Sequence, residues 1–119
     1  MPNPYGAPEC TVQDVAAKIK SDENVLILDV REPNEIARVS LPSEKVVVIP
    51  MSGLARNGVA ALPDVAQNQQ REIVIMCHHG VRSAQVTVWL LKQGWKNVLS
   101  MAGGIDAYAK EVDSSIGFY

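Results

Sequence analysis

The sequence contains few cysteines and few aromatic residues, and it has no long apolar run. Two cysteines in 119 residues are too few for a disulfide scaffold, so both are expected to be free thiols. No stretch approaches the roughly 18 apolar residues that a membrane-spanning helix needs. The N-terminal residues form neither a basic segment nor an apolar one, which argues against a secretory signal. These absences favour a cytoplasmic protein.

An excess of either charge is also missing. Eleven Lys and Arg residues against 13 Asp and Glu give a net charge of −2, so composition offers no support for binding nucleic acid or an anionic membrane. The length favours one domain, and 47% hydrophobic residues suffice for one core. Three prolines and a glycine in residues 1–8 predict a flexible N-terminal arm. Residues 9–119 are predicted to form the single domain.

Short β-branched runs alternate along the chain with stretches of helical spacing. The apolar runs 25–30, 46–49, 73–76 and 98–99 are predicted strands. The predicted helices cover residues 12–20, 32–38, 83–93 and 105–112, with two short helical pieces within 51–70. Uninterrupted apolar strands are typical of a parallel sheet covered on both faces, and the alternation indicates an α/β fold. In such a sheet, functional sites lie beyond the carboxyl ends of the strands.

The segment after the third predicted strand carries the clearest chemistry. Cys77 follows that strand directly, Gly80 permits a tight turn, and Arg82 adds a permanent positive charge. The N–H groups of such a loop and the N-terminus of the next helix form an anion-binding nest, and they favour the thiolate form of a cysteine. An isolated cysteine at a strand end is usually a small buried apolar residue. Here strand, glycine, arginine and helix start coincide, so the segment predicts a nucleophile at Cys77.

The neighbouring histidines and the second cysteine have weaker assignments. His78 and His79 are expected to shape the loop, to contact a substrate or to lie free on the surface. Adjacent histidines do not readily converge on one ion, so no metal site and no cofactor are expected. Cys10 precedes the first predicted helix and is interpreted as a structural thiol rather than a resolving cysteine.

Three short motifs occur in order along the chain. Residues 29–32 read Asp-Val-Arg-Glu, residues 77–83 read Cys-His-His-Gly-Val-Arg-Ser, and residues 103–104 are a Gly-Gly turn before the last predicted helix. With these motifs the chain resembles the rhodanese family, whose active loop runs Cys-x-x-Gly-x-Arg-Ser, from about residue 9 to residue 119. The resemblance implies a three-layer sandwich with a five-stranded, mostly parallel sheet and helices on both faces.

The same resemblance implies sulfurtransferase activity. Cys77 would take a sulfane sulfur from a donor such as thiosulfate and pass it, as a persulfide, to a thiophilic acceptor. Arg82 would anchor the loop, while Asp29 and Arg31 would brace the fold beneath the site. The substrate-binding residues that the resemblance implies are His78, His79, Gly80, Val81, Arg82 and Ser83.

The implied partners are a small-molecule sulfur donor and an acceptor that is a thiol or a sulfur-carrier protein. The carrier is suggested by residues 111–119, which resemble the end of rhodanese domains fused to enzymes that activate ubiquitin-like sulfur carriers. The sequence departs from the family at the two loop histidines, His78 and His79, and in two further places. Residues 39–42 lack its usual Gly-His-Ile stretch, and Tyr108 stands where the last helix usually has Trp.

Other functions stay open at this point. The main alternative is a non-catalytic or protein-specific docking module or sulfur relay, although docking domains of this family often lack the cysteine. Arsenate reductase and phosphatase activities are less favoured. The phosphatases that share this fold have one more residue in the loop, whereas Cys77 to Arg82 spans six residues, the sulfurtransferase size.

Overall fold

The five strands form one parallel sheet. The computed structural model describes residues 3–21 and 24–119 of the chain. The strands are β1 (Glu9–Cys10), β2 (Leu26–Asp29), β3 (Val46–Val48), β4 (Ile73–Met76) and β5 (Val98–Met101). Their order across the sheet is β1-β5-β4-β2-β3, and every neighbouring pair is parallel. The predicted five-stranded parallel sheet is confirmed, with β4 at its centre.

In the described residues four α-helices connect these strands and a fifth follows β5. They are α1 (Val12–Lys20), α2 (Pro33–Ile36), α3 (Met51–Asn57), α4 (Val81–Lys92) and α5 (Gly104–Glu111). Three 3₁₀ turns cover Gly58–Ala61, Asp64–Ala66 and Ser114–Ile116. The predicted start of the fourth helix at residue 83 was wrong by two residues. Gly80 has a φ of 98° and acts as the N-cap, so the helix begins at Val81 and already includes Arg82.

The core lies on both faces of the sheet because successive strand residues point to opposite sides. In β4, Val74 and Met76 belong to one apolar cluster, and Ile73 and Ile75 belong to the other. The first cluster includes residues of α1 and α5, namely Val12, Val15, Ala16, Ile105 and Tyr108. The second includes residues of α3 and α4, namely Leu54, Val86 and Leu90. This arrangement gives the predicted three layers.

The first helix is fixed by a reciprocal cap. The Thr11 hydroxyl accepts a hydrogen bond from the Asp14 N–H at 3.0 Å, and the Asp14 carboxylate accepts one from the Thr11 N–H at 3.2 Å. Upstream, the Ser100 N–H donates to the Pro8 carbonyl at 2.9 Å and so extends the pairing of β1 with β5. The flexibility of residues 1–8 stays a prediction, and residues 1–2 lie outside the described part of the chain. Within the described ranges, no helix has the length and apolar character needed to cross a membrane.

Candidate active site

Cys77 lies at the carboxyl end of the central strand, where the chain turns into α4. Its sulfur accepts hydrogen bonds from the backbone N–H groups of Gly80 at 3.1 Å and Ser83 at 3.3 Å. The residue is 1% exposed, so the thiol forms the floor of the loop rather than its rim. The structure therefore brings Cys77 and Gly80 together with the first turn of α4, as the sequence motif required.

A buried pair of hydroxyl groups supports the sulfur from behind. The Cys77 thiol donates to the Ser83 Oγ at 3.4 Å, and the Ser83 Oγ lies 2.8 Å from the Ser100 Oγ. Both serines are fully buried. Thr87 holds this turn of α4 by donating its hydroxyl to the Ser83 carbonyl at 2.7 Å. The sequence motif includes Ser83 but does not predict the role of Ser100, which lies in β5.

Arg82 makes its main contacts with α2 rather than with the sulfur. Its guanidinium donates two hydrogen bonds to the Glu35 carboxylate, at 2.6 Å and 2.8 Å. This pairing lowers the pKa of Glu35 to about 2 and raises the pKa of Arg82. Glu35 is itself held in place because its carboxylate accepts from the Glu32 N–H at 3.1 Å. The first turn of α4 is thereby tied to α2, which agrees with an anchoring role for Arg82.

A second, deeper ion pair lies beside the first. Arg31 is fully buried, and its guanidinium donates to both oxygens of Asp29, at 2.9 Å and 2.7 Å. It also donates to the Val39 carbonyl at 2.8 Å. Arg31 thus joins the end of β2 to residues 39–42, the segment in which the Gly-His-Ile stretch is missing. Asp29 and Arg31 brace the fold, and neither residue bonds to the Cys77 sulfur in the described structure.

The two loop histidines differ in their surroundings. His78 is sandwiched between two rings, with centroid separations of 3.8 Å to His79 and 3.8 Å to Tyr119. Burial and the neighbouring His79 lower the pKa of His78, which favours the neutral ring near neutral pH. The side chain of His79 is 61% exposed, and its Nδ1 lies 3.7 Å from a carboxylate oxygen of Asp106.

These residues also form a possible set of metal ligands. One donor atom from each of His78, His79 and Asp106 lies within 4.8 Å of the others. Asp106 is already paired with Lys110 at 3.1 Å. The sequence-based expectation of no metal site stays a prediction.

The Gly-Gly turn brings the N-terminus of α5 against the backbone of the loop. The Ile105 N–H donates to the Cys77 carbonyl at 2.8 Å, and the Asp106 N–H donates to the His78 carbonyl at 3.1 Å. A Cβ on Gly104 would lie 2.3 Å from the His78 oxygen, and its φ of 65° also disfavours any other residue. The glycine is therefore required by this close approach of two backbone segments.

Tyr119 was not identified from the sequence as part of the site. Besides stacking on His78, Tyr119 donates its hydroxyl hydrogen to the Glu35 carboxylate at 2.9 Å. Arg31 donates to the same hydroxyl at 3.3 Å. The only signal for these Tyr119 contacts in the sequence was the resemblance of residues 111–119 to the end of other rhodanese domains.

The fold and the site define a class of α/β proteins that hold a cysteine among backbone N–H groups at the end of a central parallel strand. The family model described as "Rhodanese-like domain" matches residues 11–111, and the chain belongs to this family.

Three similar proteins illustrate the range of relatives. A protein named sulfurtransferase from Allochromatium vinosum is 32% identical over 102 residues, covering 86% of this chain and 88% of its own length. The chloroplastic rhodanese-like/PpiC domain-containing protein 12 of Arabidopsis thaliana is 41% identical over 95 residues, or 78% of this chain, but the chain spans only 30% of it. The crystal structure of a rhodanese-like domain protein from Staphylococcus aureus has a TM-score of 0.72 and 25% identity, with 94% of this chain and 98% of that chain covered. Homologues of this kind support sulfur transfer in general.

Proposed function

We propose that the protein transfers sulfane sulfur through a persulfide on Cys77. The observation that carries this proposal is the position of the sulfur, which accepts two backbone N–H bonds at the N-terminus of α4. Such donors stabilise negative charge on sulfur in the thiolate and in the persulfide alike. Membership of the rhodanese-like family gives independent support.

In the first half-reaction, the Cys77 thiolate attacks the outer sulfur of thiosulfate. A bond forms between the two sulfurs, the original sulfur–sulfur bond of thiosulfate breaks, and sulfite leaves with the bonding electron pair. The product is a Cys77 persulfide with one negative charge. The proposed binding surface for its outer sulfur is the loop from His78 to Ser83, with Arg82 held in place by Glu35.

In the second half-reaction, an acceptor attacks the outer sulfur and restores the Cys77 thiolate. With cyanide the product is thiocyanate. The charge balances because the persulfide anion and cyanide give the Cys77 thiolate and thiocyanate, each with one negative charge. A thiol or a sulfur-carrier protein is the proposed acceptor in the cell, and the cytoplasm is the proposed location.

The test is the intact mass of the reduced protein after incubation with thiosulfate and then with cyanide. We expect the mass to increase by one sulfur atom and then to return, with release of an equal amount of thiocyanate. Cys77→Ser should gain no sulfur. Cys10→Ala is the matched control, because Cys10 is a buried thiol that lies in an apolar cluster, and it should behave as the native protein does.

The contrary outcome is equally clear. If neither thiosulfate nor other sulfane donors add sulfur to the folded native protein, the persulfide proposal is wrong. The docking-module alternative would then be favoured. Sulfur transfer only in the presence of one acceptor protein would instead indicate a specific relay. Phosphatase activity is disfavoured by the six-residue span from Cys77 to Arg82, whereas arsenate reduction would gain support, with the docking module, if no persulfide forms.

A further inference from the structure

Tyr119 contacts the candidate site through three different groups. Its ring stacks on His78 at 3.8 Å with an interplanar angle of 10°. Its carbonyl oxygen lies 3.1 Å from the His78 Nε2. Its hydroxyl lies 2.9 Å from the Glu35 carboxylate. One residue outside the loop therefore touches both the loop and the carboxylate that holds α4.

The Tyr119 hydroxyl binds the same carboxylate that anchors Arg82 and the end of the Cys77 loop. The Glu35 Oε2 accepts one hydrogen bond from Tyr119 at 2.9 Å and another from Arg82 at 2.8 Å. The Tyr119 oxygen also accepts from Arg31, whose guanidinium lies 5.7 Å from the ring centroid. The hydroxyl is thus inserted between the two ion pairs of the site, where both its donor and its acceptor capacity are used.

The Tyr119 ring packs against His78, the first residue after Cys77. His78 is covered on one side by Tyr119 and on the other by His79. The carbonyl of Tyr119 is a fixed acceptor for the Nε2–H of a neutral His78 ring. This contact adds to those of α5, which binds the Cys77 and His78 carbonyls and places Asp106 3.7 Å from His79.

We propose that Tyr119 is a positioning residue for the Cys77 loop, acting on its start through His78 and on its end through Glu35 and Arg82. The proposal rests on the proposed function in so far as the loop carries the transferred sulfur. Tyr119 is not a catalytic residue, because it makes no contact with the Cys77 sulfur among the bonds described.

Two substitutions of Tyr119 separate the effect of its ring on His78 from the effect of its hydroxyl on Glu35. Tyr119→Phe keeps the ring over His78 and removes the hydroxyl between Glu35 and Arg31. Tyr119→Ala removes both. Phe118→Ala is the matched control, because Phe118 is the adjacent tail residue and is 54% exposed.

The first readout is the exchange of backbone N–H groups with deuterium, followed by NMR. In Tyr119→Ala the Gly80 and Ser83 N–H groups, which bond to the Cys77 sulfur, should exchange at least about threefold faster at a temperature where the protein is folded. Tyr119→Phe should lie between this variant and the native protein. Phe118→Ala should match the native protein.

The second readout is the pKa of His78, measured from its ring proton shifts. The groups that face this ring are His79 of the same loop, Asp106 of α5, Glu35 of α2 and Tyr119. Removing the Tyr119 ring exposes His78 to water, so its lowered pKa should rise toward the usual value near 6.5. Tyr119→Phe should leave it close to that of the native protein.

The third readout is kcat/KM for thiosulfate with cyanide as acceptor. It should fall about tenfold or more in Tyr119→Ala and about two- to fivefold in Tyr119→Phe. If Tyr119→Ala loses only thermal stability, while amide exchange, the His78 pKa and kcat/KM stay at native values, the proposal is overturned. If the native protein forms no persulfide, the proposed function fails, but the first two readouts still test the positioning role.

Discussion

The two cysteines occupy similar places in the fold and have opposite surroundings. Cys10 is the last residue of β1 and Cys77 directly follows β4, both precede a helix, and both are buried, at 7% and 1% exposure. The Cys77 sulfur accepts two backbone N–H bonds. Burial and the nearby Asp14 instead raise the pKa of the Cys10 thiol to about 11. Because both thiols are buried, we expect the donors that face each sulfur, rather than burial, to decide which thiol is reactive.

The difference originates in how the two helix N-termini are capped. In α1 the Asp14 N–H is satisfied by the Thr11 hydroxyl. In α4 the N-cap is Gly80, which has no side chain, and the Ser83 N–H is satisfied by the Cys77 sulfur. The longer connection between β4 and α4 is what lets the sulfur take this capping position. At Cys10 only Thr11 separates strand from helix.

The largest expected effect is the contrast in alkylation of the two thiols. At pH 8 only about one part in a thousand of Cys10 is thiolate, given its pKa of about 11. We expect iodoacetamide to modify Cys77 at least about 100-fold faster than Cys10, as measured by peptide mass spectrometry on Cys77→Ser and Cys10→Ala. The Cys10 rate should keep rising toward pH 11.

The same pKa has a consequence for stability. An unfolded thiol loses its proton near pH 9.0, whereas folded Cys10 keeps its proton to about 11. The contribution of Cys10 to stability is therefore complete below pH 9 and declines as the pH rises through that window. Equal alkylation rates at Cys10 and Cys77 would contradict the proposed difference in reactivity between the two thiols.

The next effect in size is expected from Gly104→Ala. The added Cβ would lie 2.3 Å from the His78 oxygen and 2.5 Å from the Cys77 oxygen, at a φ of 65°. We expect a loss of about 2–4 kcal/mol in the free energy of unfolding, measured with urea. Sulfur transfer should fall at least about tenfold because the loop backbone must move.

The control for this change is Gly53→Ala in α3, where a new Cβ would meet no atom within 4 Å. It should change stability by no more than about 1 kcal/mol, and in the stabilising direction. The alkylation rate of Cys10 should be unchanged in both variants. A fully active Gly104→Ala protein would show that the contact between α5 and the loop is not needed.

The sequence predicted the local part of the site and missed the part that depends on distant contacts. Residues 77–83 are contiguous, so a strand, a glycine and a helix start can be read together. The partner of Arg82 could not be found in this way, because Glu35 is 47 positions away and its own segment suggests only a short helix. Ser100 was missed for the same reason, since a serine in a short apolar strand has no pattern that reveals its partner.

The fold was predicted more completely because parallel strands have a clear signature. The apolar runs at 73–76 and 46–49 were both recognised as strands without knowing their neighbours. Only the first is buried on both faces as expected; β3 lies at the edge of the sheet, where Val46 and Val47 are half-buried and Val48 is exposed. The order of the strands was not predicted, since periodicity carries no information on pairing; the number of strands came from the family resemblance. β1 has only two residues, Glu9 and Cys10, which is too short for an alternating pattern.

The smallest expected effect concerns the hydroxyl pair behind the sulfur. Ser83→Ala removes the acceptor of the Cys77 thiol and leaves the buried Ser100 hydroxyl without its Ser83 partner. We expect a loss of about 1–3 kcal/mol in the free energy of unfolding and a fall of about three- to tenfold in kcat/KM. Ser40→Ala, at an exposed serine, is the control and should change neither quantity.

The double variant Ser83→Ala/Ser100→Ala separates stability from function at this position. Removing both hydroxyls also removes the unpaired group, so the double variant should recover part of the stability that Ser83→Ala loses. It should not recover kcat/KM, because the Cys77 sulfur still lacks the Ser83 hydroxyl, which can donate to the thiolate. Recovery of both quantities would mean that Ser83 acts only through packing. The contrast with Cys10 would then depend on the two backbone N–H groups of Gly80 and Ser83 alone.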